Sequence, residues 1–105
     1  MDFTIILNND TQHGFLVTEC VYDYIHSRIT LRNQHTDQWT SNVIEYLTDL
    51  ANQHTTITSI VIKSGDDVMR TYENIDATIT SVGEAFAGNQ DYERIALLTI
   101  EIALS

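Results

Sequence analysis

The clearest pattern in this chain is one segment that repeats its apolar residues at helical spacing, and it limits the fold more than any other feature. From about residue 38 to about residue 53, Trp39, Val43, Ile44, Leu47, Leu50 and Ala51 fall along a single helical stripe. Thr36 or Asp37 is placed to cap its start, with Asn42 and Glu45 as an alternative capping box one turn later. Asn52, Gln53 and His54 supply its end. Trp39 reads as a core anchor, because an indole buries a large apolar surface while its N–H finds an acceptor.

The remaining apolar residues are patterned for strands. Phe3 to Leu7 is a first strand, closed by the turn chemistry of Asn8, Asn9 and Asp10. Phe15 to Tyr24 is β-branched and aromatic, but its alternation is imperfect. Val17, Glu19, Val21, Asp23 and Ile25 share one face and Leu16, Thr18, Cys20, Tyr22 and Tyr24 the other, with a helix through Val17, Val21, Tyr24 and Ile29 as the alternative. Arg28 to Arg32 is a short third strand. Ile57 to Lys63 is apolar on both faces and reads as a central strand beneath the helix. Ser64-Gly65-Asp66-Asp67 is a hairpin signal, followed by a return strand from Val68 to Tyr72. Ile75, Ala77 and Ile79 then face inward, with Asp76, Thr78 and Thr80 on a solvated face. Gly83 to Asp91 reads as a loop, and Arg94 to Leu104 as a long last strand with Ala96, Leu98, Ile100, Ile102 and Leu104 inside.

The order is strands, one helix, then a hairpin-linked meander. That predicts a single α+β domain over residues 1–105: a mostly antiparallel, curled sheet of about six to seven strands with the helix on one face. One helix cannot cover both faces of so wide a sheet. The sheet must curl into a sandwich or partial barrel, expose a polar face, or bury its apolar remainder in a partner.

At 105 residues with 43% apolar content, the chain has room for one core. No run approaches the ~18 apolar residues of a membrane span, and the N-terminal residues lack the basic region and cleavage site of a secretory signal. A cytoplasmic or virion location follows as the expectation. The single cysteine, Cys20, excludes an intrachain disulfide and a multi-cysteine metal site. Glu19 beside it would raise its pKa, and burial is the ordinary fate of such a thiol.

Fifteen acidic groups against five basic ones give a formal charge of −10. Phosphate neutralisation needs clustered Lys and Arg, so direct binding to nucleic acid or an anionic membrane is not expected. The acidity fits a solvated, self-repelling surface, a basic protein partner or a high-salt setting. No spacing of His13, His26, His35 and His54 matches a zinc motif, although a fold could gather His26, His35 and Asp37. Asp66 and Asp67 are paired carboxylates in a polar turn, where turn chemistry outweighs catalysis. Gly83 to Gly88 carries an acid at its centre and precedes a strand, unlike a phosphate cradle. No cofactor is implied.

The strand edges carry more information. With one lysine and no proline, a β-rich chain has few of the usual edge defences. Strand addition to a further copy or another protein is the natural use of such edges. Phe86, between two small residues, and the threonine face at Thr78 and Thr80 are the candidate interaction residues.

The segment ITSIVIKSGDDVMRTYENIDATITSVGEAFAGNQDYERIALLTIEIAL, residues 57–104, resembles the hairpin-rich half of small tail or connector proteins of tailed viruses. The likeness lies in its order of hairpin, threonine-rich strand, loop and long final strand, and brings no functional residues with it. It implies a structural subunit of a ring or tube. The leading expectation is thus a non-enzymatic assembly or interaction module, with protein partners and self-association through strand edges or an apolar face. The alternatives are an acidic inhibitor that mimics nucleic acid at a basic protein site, and a small hydrolase or metal enzyme built on His26, His35 and Asp37.

Overall fold

In the computed structural model, the described residues run from 2 to 86 and from 94 to 103. They form eight strands and one helix: β1 (Phe3–Leu7), β2 (Phe15–Val17), β3 (Glu19–Asp23), β4 (Arg28–Asn33), α1 (Ser41–Asn52), β5 (Ile60–Ser64), β6 (Asp67–Tyr72), β7 (Ala77–Phe86) and β8 (Arg94–Ile102). The strands make two antiparallel four-stranded sheets, ordered β2-β1-β5-β6 and β3-β4-β8-β7. The α+β class holds, with one strand more than expected. The sheet resolves its covering problem by dividing in two.

The core lies between the sheets. Ile5, Leu7, Phe15, Val17, Ile60 and Ile62 enter it from the first sheet, and Ile29, Leu31, Ala77, Ile79, Ala96, Leu98 and Ile100 from the second. Burial of these apolar side chains at about 25 cal/mol per Å² is the main force holding the layers together.

The chain changes sheets at Thr18. Its N–H donates to Arg32 O at 2.8 Å, and its hydroxyl donates to the same oxygen at 3.2 Å while accepting from Gln34 N at 3.1 Å. Phe15 and Val17 point into the core before the switch, and Cys20 and Tyr22 pack against it afterwards. That one-residue change of phase is why the segment alternates imperfectly, and it makes one expected strand into two. The segment is not helical. A second link between the sheets comes from Ile57 and Ala77, which exchange backbone hydrogen bonds of 2.7 and 3.1 Å.

The helix is shorter than expected. Thr36–Gln38 form a single 3-10 turn, Trp39 lies in the link, and α1 starts at Ser41 behind Thr40, which makes no side-chain cap. Neither Thr36 nor Asp37 caps α1. Its end is as expected, with His54 in the left-handed region at φ 52. Leu47 is fully buried, and Val43, Tyr46, Leu50 and Ala51 pack against the core. Ile44, expected on the stripe, is 41% exposed. The helix packs against β7, not across β5 as the sequence suggested. β5 is nonetheless interior to its sheet, between β1 and β6.

The expected hairpin is present. Ser64 pairs with Asp67 around a two-residue loop, and Gly65 takes φ 60 while Asp66 does not have a positive φ, the pattern of a type II′ turn. Further on, Gly83 to Phe86 continue β7 as strand where a loop was expected, because they pair with Leu97, Ala96, Ile95 and Arg94 of β8. The rest of that expected loop, through Asp91, lies outside the described residues, as does Leu104.

Candidate interaction surface

The alternative grouping of His26, His35 and Asp37 does not form. His26 lies in the turn before β4 and His35 and Asp37 follow its end, so the six residues of the strand, ~20 Å of extended chain, separate them. His26 instead pairs within its turn: its Nδ1 lies 2.7 Å from Asp23 Oδ2. Among the described residues no three metal-type ligands come together. Cys20 is half-buried, and burial pushes its thiol pKa up while the charge of Arg70 partly opposes the shift. The cause is burial, not the neighbouring Glu19. The described carboxylates are spread over both sheets, the helix and the turns; Asp10, Asp23, Glu19 and Glu101 are paired with His13, His26, Arg32 and Arg28.

Two concavities flank α1. One, of about 230 Å³, lies between the helix and β7–β8 and is lined by Trp39, Ile44, Thr48, Val82, Glu84 and Ala96. The other is open and more polar, and borders His13, Tyr46 and Asp49. There the His13 ring stacks on Tyr46 with centroids 4.6 Å apart, and His13 Nδ1 sits 2.7 Å from Asp10 Oδ2. Burial, and then the charge of Asp10, raise the Tyr46 pKa. Neither concavity pairs a nucleophile with a base.

The expected interaction residues are dispersed along β7. Thr78 is half-buried opposite Glu101. Thr80 is exposed and is the extra residue of a β-bulge, with its hydroxyl 3.4 Å from Thr99 O. Phe86 ends β7 opposite Arg94, and its side chain is outside the described part of the molecule.

The large exposed apolar groups lie elsewhere. At the β3–β4 turn, Tyr24 is 72% and Ile25 88% exposed. Asp23 Oδ1 holds this turn by accepting from Ile25 N at 3.0 Å and His26 N at 3.2 Å, an Asx-type arrangement. The second exposed group is on β6, an edge strand whose outer side pairs with no strand among the described residues. Val68 and Met69 there are 58% and 59% exposed. Arg70 lies over the Tyr72 ring, 5.3 Å from its centroid, and Tyr72 stacks on Tyr22 of β3 at 5.6 Å. In the sequence β6 reads as an ordinary return strand. The signal it carries is two adjacent apolar residues, Val68-Met69, in a strand otherwise polar on its outer face.

No protein-family model matches the sequence, and no curated protein matches it. Solved structures do share its architecture. Hcp1 from Salmonella typhimurium superposes with a TM-score of 0.61 at 11% identity, covering 96% of this chain and 79% of that one. Hcp2 from the same organism gives 0.58 at 12% identity, covering 98% and 82%. At such identities the likeness is one of fold.

Proposed function

We propose that this protein is a non-enzymatic subunit of a homo-oligomeric assembly, a ring or tube, in which copies associate through sheet edges. The observation that carries this reading is β6: an edge strand with two adjacent, largely exposed apolar side chains and neither lysine nor proline to discourage pairing. The architecture that the protein shares with Hcp1 and Hcp2 extends over nearly all of this chain. The viral setting suggested by residues 57–104 is a narrower form of the same proposal, and these bacterial neighbours add nothing to it.

Sedimentation velocity over a wide concentration range, with electron microscopy of the largest species, tests the proposal. Closed rings or stacks of them are the expected result. A strictly monomeric protein at every concentration and salt overturns it.

A further inference from the structure

The outer edge of β6 is self-complementary once its bulge is counted. Across the β5–β6 ladder Ser64 pairs with Asp67 and Lys63 with Val68, but Ile62 pairs with Arg70, so Met69 is an inserted residue. Directly opposed residues share a face of the sheet. Ile62 is buried, which puts Arg70 on the core-side face of the sheet. Ser64 has the same parity as Ile62 along β5, so Asp67 stands on that face too. Residues three apart in a regular strand point to opposite faces; here the bulge brings Asp67 and Arg70 onto one. Val68 lies on the outer face with Lys63, and Met69 beside it is equally exposed.

Two such strands running antiparallel about a two-fold axis pair same-face residues. The register that sets Asp67 opposite Arg70 of a second copy also sets Arg70 opposite Asp67 of that copy. Between these two charge pairs it sets Val68 against Met69 twice. Neither Asp67 nor Arg70 has an ion-pair partner among the described residues. From this complementarity of charge and apolar surface we propose that β6 pairs with β6 of a second copy of this chain, joining two four-stranded sheets into one of eight.

The contact is isologous, so it closes at two copies and cannot itself generate a larger ring. It deepens the assembly reading by naming one contact, and it joins subunits, or whole rings, in pairs. A single strand pair is small beside a stable interface, so the association is weak and concentration-dependent.

The test is sedimentation velocity on the wild type, Asp67→Arg, Arg70→Asp, the double exchange, and an equimolar mixture of the two single variants, each checked for native circular dichroism. Each single exchange puts like charges opposite one another twice and should weaken the paired species roughly tenfold. The double exchange, and the mixture, restore opposite charges at both positions and should recover it. If the single variants associate like the wild type, or if the mixture shows no rescue, the β6 pairing is wrong. Should rings form that ignore all these changes, the assembly reading survives alone. Dimers that dissolve with the single exchanges, in the absence of any ring, support the pairing and overturn the ring. A wild type that stays monomeric throughout overturns both.

Discussion

Trp39 and Asn33 donate to the same acceptor: the indole N–H and the Asn33 amide each lie 2.8 Å from Leu16 O. Asn33 is fully buried at the end of β4, and its remaining groups are also engaged, with Nδ2 2.9 Å from Gln38 Oε1 and Oδ1 accepting from His35 N at 2.7 Å. The two side chains thus fix the approach to α1 against the last strand before the sheet switch. Edge-on contact of Trp39 with Phe15, centroids 5.8 Å apart, holds the indole in place.

Because one carbonyl serves both donors, either can be lost while the acceptor stays satisfied. Trp39→Phe should cost about 1 kcal/mol and Asn33→Ala about 2–3 kcal/mol. The double variant removes both side-chain donors from Leu16 O, so its cost should exceed the sum by about 1 kcal/mol. Urea unfolding of the four proteins checks this, and strict additivity would show that water replaces the lost donors.

The sheet switch depends on one hydroxyl. Thr18→Val keeps the shape and β-branching but loses the bonds to Arg32 O and from Gln34 N. A loss of about 1–2 kcal/mol in denaturant stability is expected. Thr18→Ser, which keeps the hydroxyl, should recover part of it.

Gly65 occupies the left-handed region at φ 60, with no heavy atom within 4 Å of where a Cβ would stand. Gly65→Ala therefore tests backbone strain alone. It should destabilise by about 1 kcal/mol, read as a lower thermal midpoint without a change in the folded circular dichroism.

The β3–β4 turn should weaken in acid. The hydrogen bond from the His26 side chain, aided by the backbone N–H groups of His26 and Ile25, holds the Asp23 carboxyl below its ordinary pKa of 3.8. A depressed pKa in the folded state means that the stabilisation is complete above the unfolded value and is lost as pH falls through the folded one. The stability difference between wild type and Asp23→Ala should thus shrink below about pH 4. A carboxyl-carbon NMR titration of Asp23 gives the direct reading; a midpoint at or above 3.8 would contradict it.

Cys20 provides a check on burial. With its pKa raised, the thiol should react with a disulfide reagent near pH 8 far more slowly in the folded protein than in denaturant. Equal rates would place the sulfur in open water.

Most elements could be read from the sequence because local pattern and tertiary role agree in them. Ile29 and Leu31, Ile60 and Ile62, and Leu98 and Ile100 alternate as strand residues and are buried as such. Leu47 centres a helical stripe and is the buried residue of α1. What escaped depends on single residues that shift phase. Thr18 and Thr80 each break a period of two, and in a sequence such a slip resembles weak alternation. Trp39 was legible as an anchor, but its acceptor sits 23 residues away on β2. Asn8 was legible as a turn residue, yet its side chain also clips β1 to the segment before β5, donating to Thr56 O at 3.1 Å and accepting from Thr58 N at 2.8 Å. The surface on β6 could not be read because a bulge, invisible in isolation, decides which of its side chains stand together.

The bulge at Thr80 has a consequence for how sequences of this shape diverge. Before it, Ala77 and Ile79 point inward; after it, Val82 and Glu84 take the inward places, opposite Leu98 and Ala96. Removal of that one residue would leave every later pair in place, Ser81 against Thr99 and Val82 against Leu98, and make the alternation from Ala77 to Glu84 unbroken. A relative lacking the insertion therefore carries its later inward residues one position earlier in the chain. Two chains could share this architecture and still look unrelated when their letters are aligned without a gap here.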